Sequence, residues 1–589
     1  MIFIRYRNSL HDINAQPVEL IHHQPQQLTP EELRLGTLVE SIPEKPDTDP
    51  GKKLILLFNP AESKLWWQAV GTENSPPTRL QTAGAGEQRE AKRQQDPFIP
   101  GRADGVFALA AFVLGFLFIR WVFFYWEGYG VALFTLLYCG IVLAYLRQKG
   151  IRPPRYSCFW LAILLLTGLS YALWQGNGLQ PWRQLLLFGT ALYWTVTAAD
   201  MTLLGKTSDW LPLDGLQALL FIPWRNFGGQ YRSLHALRQR RPGERNSQSW
   251  SVALGILLAL VAVSAVLPLL VEADSGGFAR MTSGIVSHLN RLWFGSVDWL
   301  VQLLLAMPTA AYIFALVAGS AHRRGLPNLT QNAGEQGIQK LRILPASTVS
   351  IVLGALAGLY LVFIGSQLPY FFSAFAGQRP EGWLLYSEYA RRGFFELCGI
   401  AAINLSVLAA ANLGSRQPRQ QSKLLKGLNL LLAALTLVLI ATAFSKMALY
   451  IGAYGLSVRR LLPCVLMILL AAVCLGVIWL QWRQFSIMRL AAVLGAALFC
   501  AVCLIDPDAR VARYNAQRYL AGTLDGFDAD ILYRAGPAGV DAALMVYEQT
   551  SDRELKRQLE QYLEAQRYQS AGKGGTTRDT LQNAAVRRR

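Results

Sequence analysis

The residues able to do chemistry gather in a few short segments. In Tyr389-Ala390-Arg391-Arg392-Gly393-Phe394-Phe395-Glu396, the residues Tyr389, Arg392 and Glu396 stand three and four apart. That spacing puts side chains on one face of a helix. In Ser445 to Arg460 the residues Lys446, Tyr450 and Tyr454 recur every fourth position, followed by Arg459. Asp274, Gln367, Arg513 and Asn515 complete the set. Arginine forks suit bidentate recognition of phosphate or carboxylate, and tyrosines suit sugar or headgroup contacts. The chemistry indicated is capture of an anionic group. Glu396 is also the one carboxylate placed to act as a general acid or base. It has no second carboxylate or histidine beside it in the sequence, so catalysis is the least supported reading.

The usual catalytic signatures are missing: there is no HExxH, GxSxG or Walker A sequence. Asp528-Ala529-Asp530 reads as a solvated helix start rather than a metal motif. The seven cysteines fall in or beside apolar runs, which does not indicate a disulfide framework, and Cys500 and Cys503 read as small residues on one helix face. The six histidines lie outside those runs. No metal site and no cofactor are expected.

The elements that must position these residues are long and apolar. Of 589 residues 52% are hydrophobic and 16% charged, against roughly a quarter charged in soluble domains. The mean hydropathy is +0.26. Apolar stretches of about 17–25 residues match a hydrocarbon core of roughly 30 Å at about 1.5 Å per residue. The fold class expected is all-α: a polytopic transmembrane bundle of about eleven helices, at about 105–125, 130–146, 157–174, 184–204, 251–271, 297–319, 347–372, 393–413, 424–444, 461–481 and 487–505. The net charge of +18 then reads as basic loops meeting anionic headgroups, not as a nucleic-acid surface.

The organisation expected is a small cytoplasmic region at 1–74, with strands at 53–58 and 64–70 around Asn59-Pro60, and a flexible linker at 75–104. A four-helix membrane region follows at 105–204, then a basic loop at 205–250. Seven helices occupy 251–505, a helical tail 506–567 and a disordered end 568–589. Within the basic loop, Leu211–Trp224 is apolar but short and broken by Pro212, Asp214 and Pro223, which fits a helix lying in the interface. Gly354 and Gly358 are four apart and predict a close helix–helix approach. No signal peptide is visible in the polar first hundred residues, so the N-terminus is expected to stay cytoplasmic. With that orientation the inner loops hold more than twice the Lys and Arg of the outer loops. The chemistry-bearing segments then share the outer face, and eleven spans put the C-terminus outside.

The segments VEADSGGF (271–278), FIGSQLPYFF (363–372), YSEYARRGFFEL (386–397), SKMALYIGAYGLSVRR (445–460) and DPDARVARYNAQRYL (506–520) resemble, in order and spacing, a bacterial family of multi-pass membrane proteins known as a domain of unknown function. The resemblance covers roughly 200–550. It departs at Lys446, where an arginine is expected, and at Ser457, where a threonine is expected. It implies a protein of the bacterial cytoplasmic membrane and supplies no reaction. Three functions stay open: transport or handling of an anionic lipid or envelope-related ligand, a sensor or scaffold with an unidentified protein partner, and an envelope-acting enzyme.

Overall fold

A computed structural model describes residues 2–6, 9–13, 37–39, 53–59 and 64–70, then 98–239, 299, 301–325, 342–375, 386–415, 422–524 and 526–588. The chain divides into two compact units, Met1–Arg93 and Gln94–Arg589. In the first, β1 (Ile2–Tyr6) pairs antiparallel with β2 (Ser9–Ile13) and parallel with β3 (Thr37–Val39). A separate hairpin joins β4 (Lys53–Asn59) to β5 (Lys64–Val70) in the register Lys53 to Val70. The hairpin falls on the two strand-like runs of the sequence. The sheet of β1, β2 and β3 went unread because its strands are short and the β1–β3 pairing is non-local.

The second unit is helical. Its first helices are α1 (Arg102–Leu117, continuing through a wide turn to Phe123), α2 (Tyr129–Gln148), α3 (Ser157–Leu173) and α4 (Gln180–Ala198). The polar loop forms α5 (Leu211–Leu216), another wide turn, α6 (Ile222–Asn226) and α7 (Gly229–Gln239). Next come α8 (Val301–Ala321), α9 (Ala346–Phe375), α10 (Tyr386–Gly414), α11 (Lys423–Tyr454), α12 (Val458–Trp479) and α13 (Ile487–Leu504). The tail folds as α14 (Pro507–Leu520), α15 (Asp530–Ala535), α16 (Val540–Gln549), α17 (Arg553–Lys573) and α18 (Leu581–Arg588).

Among the described residues eight helices are long and apolar enough to cross a membrane, and α3 is a shorter apolar helix. α4 is helical where the fourth span, 184–204, is expected. The expected span at 251–271 and Asp274 lie outside the described residues. Residues facing away from the bundle are apolar, as at Leu109, Val113, Leu359 and Val362. An outer surface of this kind is matched to hydrocarbon, where every backbone polar group must be bonded within its own helix. The chain is a multi-pass integral membrane protein.

The core sits in two clusters. One joins α1 to α4 with α8 and α13, centred on Leu114, Tyr145, Trp194 and Phe314. The other joins α9 to α12 around Leu353, Ala401, Leu432 and Cys474. Polar side chains tie the second cluster together at depth. Tyr360 donates to Asn404 at 2.7 Å, and Asn404 donates to Thr436 at 3.0 Å. Such interhelical bonds contribute about 0.6–2 kcal/mol each in a membrane.

Helix ends follow their local signals. Ser422 and Ser486 cap α11 and α13 by accepting from Leu425 and Arg489. Gly455 closes α11 at φ +76°, a left-handed geometry that favours glycine.

Two expectations are corrected. A Cβ on Gly358 would meet nothing within 4 Å and one on Gly354 only a Leu428 methyl at 4.0 Å, so among the described residues this pair faces no close helix. The close approach occurs at Gly115, where a Cβ would stand 2.7 Å from the Ala306 carbonyl oxygen. Residues 568–589, expected to be disordered from their Gly, Ser and Thr content, are folded through residue 588. The amides of Tyr129 and Gly130 donate to the carbonyls of Asp579 and Thr577 at 2.9 and 2.7 Å, and Lys573 pairs with Glu127 at 2.8 Å. Composition cannot register bonds to a loop more than four hundred residues away.

Candidate functional site

The bundle has two ends. One carries the tail helices, the α1–α2 and α3–α4 loops and the α11–α12 turn, joined by contacts such as Gly178 to Asp508 and Asn515 to Leu456. We call it the tail face. The other, the loop face, carries the start of α1, the end of α2, the polar loop and residues 322–325, joined through Asp104 and Arg225.

On the tail face the sequence places Glu396 on α10 and Lys446 on α11, two helices packed side by side. The charge of Glu396 acts on Lys446, which is partly buried about two turns below the end of α11. α11 has 32 residues, about 48 Å of helix, so its last turns project past a hydrocarbon core of roughly 30 Å. On that projecting part Tyr450 and Tyr454 meet edge to face with ring centroids 5.4 Å apart. The guanidinium of Arg460 lies 4.2 Å from the Tyr450 ring centroid and donates to the Tyr454 carbonyl at 2.9 Å and to the Gly455 carbonyl. Arg460 thus fixes the turn. Arg459, one position earlier, points into solvent, as does Arg513 on α14.

Asn515 has a structural use. It is buried, its side-chain oxygen accepts from the Leu456 amide at 2.8 Å, and its side-chain nitrogen donates to the Leu456 carbonyl at 2.8 Å. One side chain thus holds both the amide and the carbonyl of Leu456. Asn515 is a clamp between α14 and the α11–α12 turn. Gln367 lies on α9, and Tyr389, Arg391 and Arg392 lie on α10, in residues whose side chains are outside the description.

The tail anchors itself with carboxylates. Asp506 caps α14 by accepting from Ala509 and takes a 2.6 Å bond from Gln582. Asp508 accepts from Gly178 at 3.2 Å. Burial and the neighbouring Asp506 charge push the Asp508 carboxyl up to about 6. Asp528 accepts from the Asp530 amide, so the DxD is a helix start.

Two buried charged groups escaped the sequence reading. Asp104 has no exposure and accepts from Tyr145 at 2.6 Å, Lys149 at 2.7 Å and the Gly101 amide at 2.7 Å, with His322 Nε2 at 3.0 Å. It gathers α1, α2 and the end of α8 on the loop face. Arg183, a cation between the third and fourth apolar segments, is 1% exposed. It donates to the carbonyls of Ser170, Trp174 and Gln175, stacks on the Tyr171 ring at 3.8 Å, and so caps the C-terminus of α3. In the sequence an Asp early in α1 and a Lys just past α2 carry a helix-terminus signal, but their meeting is a tertiary fact.

All seven cysteines are free thiols. Among the described residues no three His, Cys, Asp or Glu side chains converge as metal ligands. A family model described as a domain of unknown function, DUF4153, matches residues 161–545. No curated protein and no solved structure matches the chain.

Proposed function

The chain belongs to the DUF4153 family, and from that premise we propose that it is a multi-pass protein of the bacterial cytoplasmic membrane that binds and handles an anionic lipid or envelope-related ligand at its tail face. The tail face is then extracytoplasmic and the more basic loop face cytoplasmic, as the positive-inside rule requires. The observation that carries the reading is the Lys446–Glu396 pair. A cation and a carboxylate on adjacent helices, sunk below the end of α11, are costly in a bilayer unless they serve each other or a ligand. Above them stand the Tyr450–Tyr454 ring pair and the exposed Arg459 and Arg513, groups that attract and orient an anion. Asp274, Gln367, Tyr389, Arg391 and Arg392 belong to the same proposal by their positions on the flanking segments.

The test is binding of phosphatidylglycerol and cardiolipin to the purified chain in nanodiscs, read by native mass spectrometry. Lys446→Gln and the double change Arg459→Gln/Arg513→Gln are each expected to weaken retention at least tenfold. Retention equal to wild type in both would reject the site. A second reading, a sensor or scaffold, is favoured by the separate sheet-bearing unit Met1–Arg93. It requires that deleting residues 1–97 abolish a cellular phenotype while membrane insertion persists.

A further inference from the structure

On the loop face a cavity of about 60 Å³ is lined by Arg225, Arg232 and Arg324, with Gly228, Gly229 and Phe98 among its other walls. Three guanidiniums share one small space, and none of the residues lining it is acidic. Burial and the charges of Arg225 and Arg232 pull the Arg324 guanidinium below its ordinary value, although an arginine stays protonated. Only part of this donor capacity is used. Arg225 donates to the Gly325 carbonyl at 3.0 Å. The Nε of Arg324 is buried and has no acceptor among the described residues. A buried donor without an acceptor costs about 1–3 kcal/mol, and more when it is charged.

The cavity wall includes the start of α7, an 11-residue helix beginning at Gly229. First-turn amides have no intrahelical acceptor and carry a partial positive charge. Gly229 sits close against α8: a Cβ on it would stand 3.2 Å from the Phe314 ring. At Gly228 a Cβ would meet nothing within 4 Å, so this is the open side. One water needs about 10–15 Å³ of such space, so the cavity holds more than one and has room for a tetrahedral oxyanion.

The surroundings identify the source. Leu216, Leu220, Trp224, Phe227 and Tyr231 recur at three- and four-residue intervals along α5 to α7 and are all exposed, Trp224 by 88%. An apolar, aromatic strip beside arginines is the pattern of a segment lying in the headgroup region.

We propose that Arg225, Arg232, Arg324 and the start of α7 form a phosphoryl-binding site that takes the phosphate of a phospholipid in the leaflet against the loop face. The site stands at the other end of the bundle from the Lys446 cluster and does not depend on that reading.

The experiment measures binding to the full chain carrying Lys446→Gln, so that the tail face does not contribute, in detergent, using dihexanoyl phosphatidylglycerol, dihexanoylglycerol without phosphate, and inorganic phosphate. Phosphatidylglycerol should bind and dihexanoylglycerol should not. Arg225→Gln/Arg232→Gln should weaken binding at least tenfold. Gly228→Asp puts a carboxylate at the mouth where there is space for it, and should weaken binding equally with unchanged thermal unfolding. Inorganic phosphate binding as tightly as the lipid would keep the site and assign it to free phosphate. Wild-type affinity in both variants, or equal binding of dihexanoylglycerol, would overturn the proposal.

Discussion

Replacing Asn515 with alanine separates a structural clamp from a ligand contact. Two hydrogen bonds of 2.8 Å to the Leu456 amide and carbonyl are lost. Neutral bonds of this kind contribute about 1 kcal/mol each net, and leaving their half-buried partners unsatisfied costs about 1–3 kcal/mol more, less where water enters. Asn515→Ala should therefore destabilise the chain by about 2–4 kcal/mol in equilibrium unfolding, with anionic-lipid retention intact in the folded fraction. The effect should be coupled to Gly455, whose Cβ would stand 2.6 Å from the Asn515 oxygen at a φ of +76°. Gly455→Ala should cost less in the Asn515→Ala background than in wild type, because the clash is gone and only the left-handed strain is left. An Asn515→Ala protein of wild-type stability that had lost lipid binding would refute the clamp and return Asn515 to the binding site.

Four other outcomes are expected. Asp104→Asn leaves Lys149 without its carboxylate partner in a buried network, and should cost about 3–5 kcal/mol in unfolding experiments. Asp214 is buried with one oxygen that has no partner among the described residues, and burial raises its carboxyl to about 6 from 3.8. The folded state therefore holds that proton more tightly than the unfolded chain. Stability from this group is complete below pH 4 and lost as pH rises through 6, about 3 kcal/mol in all. Asp214→Asn should flatten that decline, and an unchanged pH profile would contradict the assignment. Asn404→Ala should lower stability by about 1–2 kcal/mol, with Tyr360→Phe non-additive to it in a double-mutant cycle. Gly128→Ala should release the tail to protease, since φ is +78° and a Cβ would clash with the Arg578 backbone.

What the sequence disclosed and what it withheld divide along physical lines. Span lengths and apolar runs were legible because a bilayer imposes one thickness on every helix that crosses it. Thus α2, α11, α12 and α13 fall on the expected segments, and the interrupted run at Leu211–Trp224 folds as short helices with an exposed apolar strip. The four-residue spacing of Lys446, Tyr450 and Tyr454 also carried through to a ring pair. The function of a polar residue was not legible, because type and spacing do not say which backbone groups will need partners. Arg183 and Arg459 look alike in sequence, as cations at the tail-face ends of spans. One is buried and donates to three carbonyls at and just past the end of α3, and the other is exposed. Gly354 and Gly115 likewise look interchangeable, yet only Gly115 has a helix backbone against it.

The same distinction decides where to look for ligands. A cation lodged against backbone carbonyls and an aromatic ring is part of the scaffold, and removing it costs stability. Arg183 and Arg460 are of this kind: each donates to neighbouring carbonyls and stacks on a tyrosine, although Arg183 Nε, like Arg324 Nε, has no acceptor among the described residues. Arg324 differs in sharing a cavity with two further arginines and no acidic wall, and is held in place for something that arrives from outside. A bilayer has a phosphate plane on each side. An arginine group without a counter-charge near one of those planes costs less to maintain than the same group in a soluble core, because a lipid phosphate reaches it without leaving the membrane. The loop-face arginines should therefore bind with a steep dependence on ionic strength, since their open side faces water. The Lys446–Glu396 pair, in which Lys446 is partly buried, should respond to salt less.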